Sequence, residues 1–344
     1  MRHTLTPLVV LAVIALSATA LAADTGEEAL DLRVRLERGN TYQFKTRIEK
    51  TTVRWINEAE TSETSTLELT QTMQVLSVKD DGTATVKLTY DRVAVTTESE
   101  NGLFEFDSDN PPEELAFPSS IYAALVGRSF EVVLSPSNEV VKLRGTNALQ
   151  MAVIGTLSED GDEEESGGVV SRVVITTQGI DPSSGMDWMR LLHGDGLKEH
   201  IAALFSAYPD KPVAVDGTWT HKEKRAGQYA TTCDATSKLA SRAGGVATIE
   251  VEGKIALDAD AKGRNFGLGT VTKLEGTEKA TLQVDEASGV LVESKVVDQL
   301  KGEETMPMMG GGDALPITID TTTTVKRTKL TQPKDAKAPA DGGE

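Results

Sequence analysis

Leu67-Glu68-Leu69-Thr70-Gln71-Thr72-Met73-Gln74-Val75-Leu76-Ser77-Val78-Lys79-Asp80-Asp81-Gly82-Thr83-Ala84-Thr85-Val86-Lys87-Leu88-Thr89-Tyr90 is the stretch from which the fold is read. Leu67, Leu69, Met73 and Val75 fall on one face of an extended chain, and Ala84, Val86, Leu88 and Tyr90 do the same after the turn Lys79–Gly82. Side chains alternate across a strand with a period of two, so this pattern is a β-hairpin with one buried face. The parity of the apolar set slips near Val75-Leu76 and again before Val93 and Val95, as a bulge requires. Slips of this kind suit a strongly bent sheet.

The same alternation recurs on both sides. Leu103 to Phe106 reads as a strand leading into the proline-containing loop 107–112, because proline cannot donate to a ladder. Ser119 is placed to cap a short helix ended by Gly127, and Thr146 or Asn147 to cap a second ended by Gly155. Phe130–Leu134 and Val140–Leu143 flank the turn 135–138 as another hairpin. Residues 158–168 contain no apolar side chain and six acids, four of them successive at 162–165, which predicts a solvated loop. Val169–Thr177 reads equally as strand or helix, and Asp187–Ala207 as a broken helical connector. After Tyr208–Pro212 the β pattern restarts: Tyr229–Ser241 and Val246–Leu257 about Gly244-Gly245, then Lys279–Val284 and Val290–Val297, then a long Thr-rich strand Ile317–Lys329. Residues 331–344 predict a disordered tail.

Composition agrees. The chain has 344 residues, 39% hydrophobic, 26% charged and 4% aromatic; 40 Thr and 31 Val together favour a pleated surface. Thirty-five basic against 53 acidic side chains give a net charge of −18, which repels a phosphate backbone and excludes nucleic acid as the expected partner. Met1-Arg2-His3, the apolar run Leu8–Leu16 and Ala20-Leu21-Ala22 form a secretory signal cut after Ala22. The apolar run is too short to span a bilayer, so a soluble exported protein, periplasmic or extracellular, is expected, with no integral membrane segment after cleavage. Cys233 is the single cysteine, which excludes an intramolecular disulfide; in a strand-like stretch it reads as a small core residue.

Several stretches look familiar: Leu36-Glu37-Arg38-Gly39-Asn40-Thr41-Tyr42, Phe106-Asp107-Ser108-Asp109-Asn110-Pro111-Pro112, Leu125-Val126-Gly127-Arg128-Ser129-Phe130, and Tyr208-Pro209-Asp210-Lys211-Pro212-Val213 with Gly217-Thr218-Trp219. In this order they resemble an exported bacterial family catalogued only as a domain of unknown function, over roughly residues 30 to 330. The resemblance brings no catalytic residues. The architecture also resembles the periplasmic lipoprotein carriers, in which a curved antiparallel sheet wraps short helices over an apolar cavity.

Chemistry-bearing constellations are sparse. His193 and His200 are seven apart with Gly194 and Gly196 between them, not the i,i+4 spacing of a helical zinc pair, and His221 stands alone. No G-x-S-x-G or phosphate-binding glycine motif occurs. The acidic loops at Asp107–Asn110 and Asp258–Asp260 lack the twelfth-position glutamate of a calcium loop. No catalytic residue, metal or cofactor is therefore expected, and the protein is not read as an enzyme.

The expected fold is mainly β: one or more curved antiparallel sheets, half-barrel-like, in two similar halves with short helices packed on the concave side. A pair of all-β sandwiches is the alternative. The expected domain spans 28–330, its halves about 28–157 and 208–330, joined by an acidic loop and helical connector, 158–207. The expected function is binding of an apolar or amphiphilic ligand, a lipid or acyl chain, in a cavity lined by Trp188, Leu192, Ile201 and Phe205. The alternative is an envelope interaction module that engages a partner protein through exposed strand edges such as Ile317–Lys329.

Overall fold

The structure, a computed structural model, describes residues 29–56, 59–100, 102–115, 118–159, 197–198, 201, 204–205, 208–209, 211–225, 229–258, 270–305 and 314–331. Residues 1–28, 160–196, 306–313 and 332–344, among them the expected signal, most of the expected acidic loop and connector and the expected tail, lie outside them; Ser158 and Glu159 of the expected loop belong instead to a helix. Twelve strands form one antiparallel sheet: β1 Thr41–Ile56, β2 Ala59–Val78, β3 Ala84–Ser99, β4 Gly102–Asp107, β5 Ser129–Leu134, β6 Val140–Arg144, β7 Thr218–Arg225, β8 Thr231–Ala243, β9 Val246–Leu257, β10 Thr270–Asp285, β11 Leu291–Thr305 and β12 Ala314–Thr331. Among the described residues two helices are delimited, α1 Ser119–Leu125 and α2 Thr146–Glu159.

Across the sheet the order is β7-β8-β9-β10-β11-β12-β1-β2-β3-β5-β6, with β4 beside β5 on the free side of β3. Both halves are hairpin meanders running in the same direction. The first and last strands meet in the middle, Thr41 opposite Thr331 and Arg54 opposite Ile317, while β6 and β7, successive in the chain, form the two edges. This corrects one expectation. Ile317–Lys329 is a strand, but it is paired on both sides, with β1 and β11, and offers no edge to a partner. Its threonines read as an edge in the sequence because its partner β1 is nearly 300 residues away and carries few apolar residues of its own.

The two parity slips are bulges. Between β2 and β3 the register shifts at Val75/Ser77 and at Thr70/Gln71, where Asp91 is the extra residue opposite. The hairpin turns form where expected, with Gly82 at φ 83°, Asn138 at φ 69° and Gly244-Gly245 at φ 60° and 79°, in the left-handed region a tight turn demands. The helix boundaries differ from expectation. Ser119 is the first helical residue of α1 rather than its cap, and Pro118 precedes it with no side-chain cap bond. Gly155 does not end α2, which continues to Glu159. A Cβ added there would meet nothing within 4 Å, so this glycine sits on an open helix face and costs only its backbone entropy.

α1 and α2 pack on each other and against β3 and β5. Ile121, Tyr122, Leu125, Leu149 and Val153 join a single apolar cluster with the inward side chains of both halves, including Phe44, Met73, Leu88, Tyr90, Leu239 and Ile249. A strap before β1 crosses the end of this core. Leu30 exchanges backbone hydrogen bonds with Val213, Arg35 N–H donates to Ser288 O, and Gly39 N–H donates to Val75 O. Gly289 lies so close beneath it that a Cβ would come within 2.6 Å of Arg33 O. Leu30, Leu32 and Leu36 are buried by the crossing.

Candidate functional site

Residues paired in an antiparallel ladder share a face, so the register sorts the inner face of the sheet into layers. One layer runs Leu239, Ile249, Leu282, Ser294, Val325, Thr46, Leu69, Val93 across eight strands. All eight are buried and six are apolar. Four residues along each strand, about 13 Å away, the same face presents Ala235, Gly253, Glu278, Asp298, Thr321, Lys50, Ser65 and Thr97. The interior thus changes from apolar to polar within one wall.

The polar layer holds charges that water scarcely reaches. Arg225, from edge strand β7, donates to Glu278, to Glu223 at 3.2 Å and to Asp298 at 3.3 Å; Glu278 is 5% exposed. Burial opposes the guanidinium charge, but the three carboxylates outweigh it and raise the Arg225 pKa. Nearby, Arg54 donates to Glu304 at 3.1 Å and to the Tyr229 hydroxyl at 3.4 Å. Cys233 is the core residue expected of it: its thiol lies 3.9 Å from Glu278, and burial, then the charge of that carboxylate, pushes its pKa up to about 12. It is not a nucleophile at neutral pH.

These contacts measure the curvature. β7 and β11 are four strand steps apart, about 19 Å on a flat sheet, more than an arginine, an aspartate and the bond between them can span. The Arg225–Asp298 contact therefore requires the second half to roll up on itself at this end. Three glycines lie along the bend, one per strand. A Cβ on Gly276 would come within 2.0 Å of Gln299 O, one on Gly302 within 2.0 Å of Lys273 O, and one on Gly253 within 2.6 Å of Cys233 Sγ. Glycine at these positions lets neighbouring backbone and side chains close in. Sequence reading missed both the glycines and the charges; the available signals were a glycine inside each of three strand patterns and an acid at an inward parity.

Of the expected cavity residues, Ile201 and Phe205 are buried in the main apolar cluster with Leu197, Leu204 and Tyr208, at 0% and 8% exposure. Trp188 and Leu192 lie outside the described residues, as do His193 and His200. His221 is half-buried on β7. Trp219 packs against the main cluster. The acidic loop after β4 is tied to the protein itself: Arg92 bonds Asp107 at 2.8 Å and Asp109 at 3.0 Å, and Asp107 accepts the Asp109 N–H. Asp258 lies 3.5 Å from Lys224. Among the described residues no cluster of three His, Cys, Asp or Glu is placed to hold a metal, and no helix is long and apolar enough to cross a membrane. A small cleft of about 250 Å³ opens beside the strap, lined by Val34, Leu36, Val78, Ala84 and Leu134.

A family described as a family of unknown function (DUF6263) matches residues 81–171 and 190–291, more than half of the chain. The chain belongs to this family. The match spans both halves of the sheet. No curated protein matches the sequence. Among solved structures, one described as lipid–protein interactions in lipovitellin is 7% identical, covers 88% of this chain and 27% of its own, and has a TM-score of 0.47; this chain spans about a quarter of that protein. The OccK7 protein of Pseudomonas aeruginosa is 6% identical over 86% of this chain and 100% of its own, with a TM-score of 0.20. An outer-membrane lipoprotein-sorting protein domain from Vibrio parahaemolyticus is 8% identical over 85% of this chain and 87% of its own, with a TM-score of 0.13.

Proposed function

We propose that this family member is an exported, non-catalytic protein that binds an apolar or amphiphilic ligand, a lipid or acyl chain, against the inner face of its sheet. The observation that carries the reading is the layered wall: a buried apolar layer followed, four residues along the same strands, by a polar one. The apolar layer offers a hydrocarbon chain its surface, and binding sites are mostly apolar surfaces with a few placed polar groups that hold a ligand's polar end. In this reading Ile201 and Phe205, buried in the main apolar cluster, line the apolar part of the site. The N-terminal segment ending at Ala22 directs export and is removed.

The test is native mass spectrometry, repeated after organic extraction, on protein produced with its own signal and purified without detergent. A stoichiometric apolar adduct on a chain beginning at Ala23 is the expected result. A clean mass of the processed chain, in a preparation where a known lipid carrier keeps its ligand, overturns the prebound-lipid reading.

A further inference from the structure

Within the apolar layer the inner face carries hydrogen-bonding groups that the protein does not use. Among the described residues, Thr46 Oγ1 on β1 and the Tyr90 hydroxyl on β3 are buried with no hydrogen-bond partner, in residues 2% and 0% exposed. Arg327 on β12 donates through Nη2 to Asp285 at 3.4 Å, while its Nη1 is buried and has no hydrogen-bond partner among the described residues. The register brings these groups to one patch. Arg327 is opposite Phe44, Phe44 opposite Gln71, and Gln71 opposite Tyr90, while Thr46 is the next inward residue after Phe44. Gln71, itself 1% exposed, lies between them on β2. Phe44, Leu69 and Val325 fill the rest of the surface, all buried.

Leaving buried donors unpaired is costly, and three within one four-strand patch, on β12, β1 and β3 with β2 between the last two, call for a common partner. The two hydroxyls can donate, and the guanidinium can only donate. The complement is an acceptor with a negative charge and several lone pairs, which is a carboxylate, and the apolar surroundings select one attached to a hydrocarbon chain. Asp285 uses one side of Arg327 and leaves the other for a second carboxylate. We infer that Thr46, Tyr90 and Arg327 form the head-group subsite for a long-chain carboxylic acid, held at the apolar end of the wall rather than at the Glu278–Asp298 end, where carboxylates would repel it. This rests on the binding function proposed above.

The experiment titrates extracted protein with dodecanoate and with dodecan-1-ol by calorimetry, for the wild type and for Tyr90→Phe, Thr46→Val and Arg327→Met. The wild type should prefer dodecanoate about tenfold or more, Arg327→Met should abolish the preference, and each hydroxyl deletion should weaken dodecanoate several-fold up to about tenfold. Because the hydroxyls have no protein partner, Tyr90→Phe and Thr46→Val should leave the melting temperature of the ligand-free protein unchanged or raised, and they keep the test valid if Arg327→Met does not fold. Equal dodecanoate affinity in the wild type and the two hydroxyl variants overturns the subsite while leaving the carrier function intact. Lowered melting temperatures with unchanged affinity identify the partner as buried water only, which also overturns it. Binding of neither probe to the wild type removes the carrier function and the subsite together.

Discussion

The inner face of the sheet is held in two different ways along its length. At the strap end, Phe44, Leu69, Met73, Leu88 and Ile249 meet the side chains of α1, α2 and Ile201 in one apolar cluster, and the curvature is maintained by filling the space. At the far end of the second half, Arg225 reaches across four strands to Asp298 and Glu278, and glycines stand where filling would otherwise occur. A smaller apolar cluster, Leu274, Ile317 and Ile319, lies beyond the charges, with Leu300 packed against both clusters. Burial of hydrocarbon is non-directional and tolerates a range of separations. A guanidinium between three carboxylates fixes its distances, and it leaves uncompensated buried charge if broken. The contrast implies a compliant end and a rigid end, and the compliant end is the one suited to admit a ligand.

The sharpest way to break this contrast is Arg225→Met, which strands Glu278 and Asp298 in a dry layer; a loss of about 3–5 kcal/mol is expected, read by urea unfolding. The Cys233 thiol, unreactive in the wild type at pH 8, should become accessible to a thiol reagent in that variant. Gly276→Ala comes next. Its Cβ would run into Gln299 O, and about 3 kcal/mol should be lost because backbone rather than a flexible side chain must move. On the outer face the same chemistry is weak. Arg92, then the Asp109 N–H, hold the Asp107 carboxyl below the usual carboxylate range. A carboxyl whose folded pKa is depressed stabilises the fold above its unfolded pKa and loses that contribution as pH falls through the folded value. Asp107→Asn should therefore cost less than about 1 kcal/mol at pH 7, and the difference from wild type should shrink as pH falls below the ordinary carboxylate range, as paired denaturation curves would show. The smallest effect is a gain: Gly155→Ala in α2 meets nothing within 4 Å and should raise stability by about 0.5–1 kcal/mol.

Legibility in the sequence followed the same division. The β2–β3 hairpin was readable down to its two bulges, because apolar residues alternate there and a bulge reverses their parity. β5, β6, β8 and β9 were readable for the same reason. β1 and β7 were not recognised as strands in their own right beyond the turns that open them. Lys45, Arg47, Glu49, Lys50 and Arg54 dilute the pattern of β1, and β7, Thr218–Arg225, has Trp219 as its only large apolar side chain. Placement of β12 failed because pairing at a sequence distance of nearly 300 residues leaves no local trace. The candidate site divided similarly. Ile201 and Phe205 were chosen from helical spacing and are buried on the core, whereas Glu278, Asp298 and Arg225 looked like surface charges among 53 acids and 35 bases. Thr46 and Tyr90 could not be singled out, since a threonine or tyrosine at an inward parity is ordinary until its hydroxyl is found without a partner.

The cyclic strand order has a consequence for how the chain acquires its structure. Neighbouring strands in the meanders are successive in the chain except β3 and β5, which have β4 and α1 between them; the far-separated neighbours are β1 and β12, whose ladder from Thr41–Thr331 to Arg54–Ile317 stands at the centre of the sheet. Closing so large a loop delays the contact that makes one sheet of two. Joining residue 331 to the strap at residue 29 by a linker, with new ends opened between α2 and β7, would make β1 follow β12 in the chain. That circular permutant should reach the same sheet faster, and the wild-type chain must wait for its last strand before its first one has both neighbours.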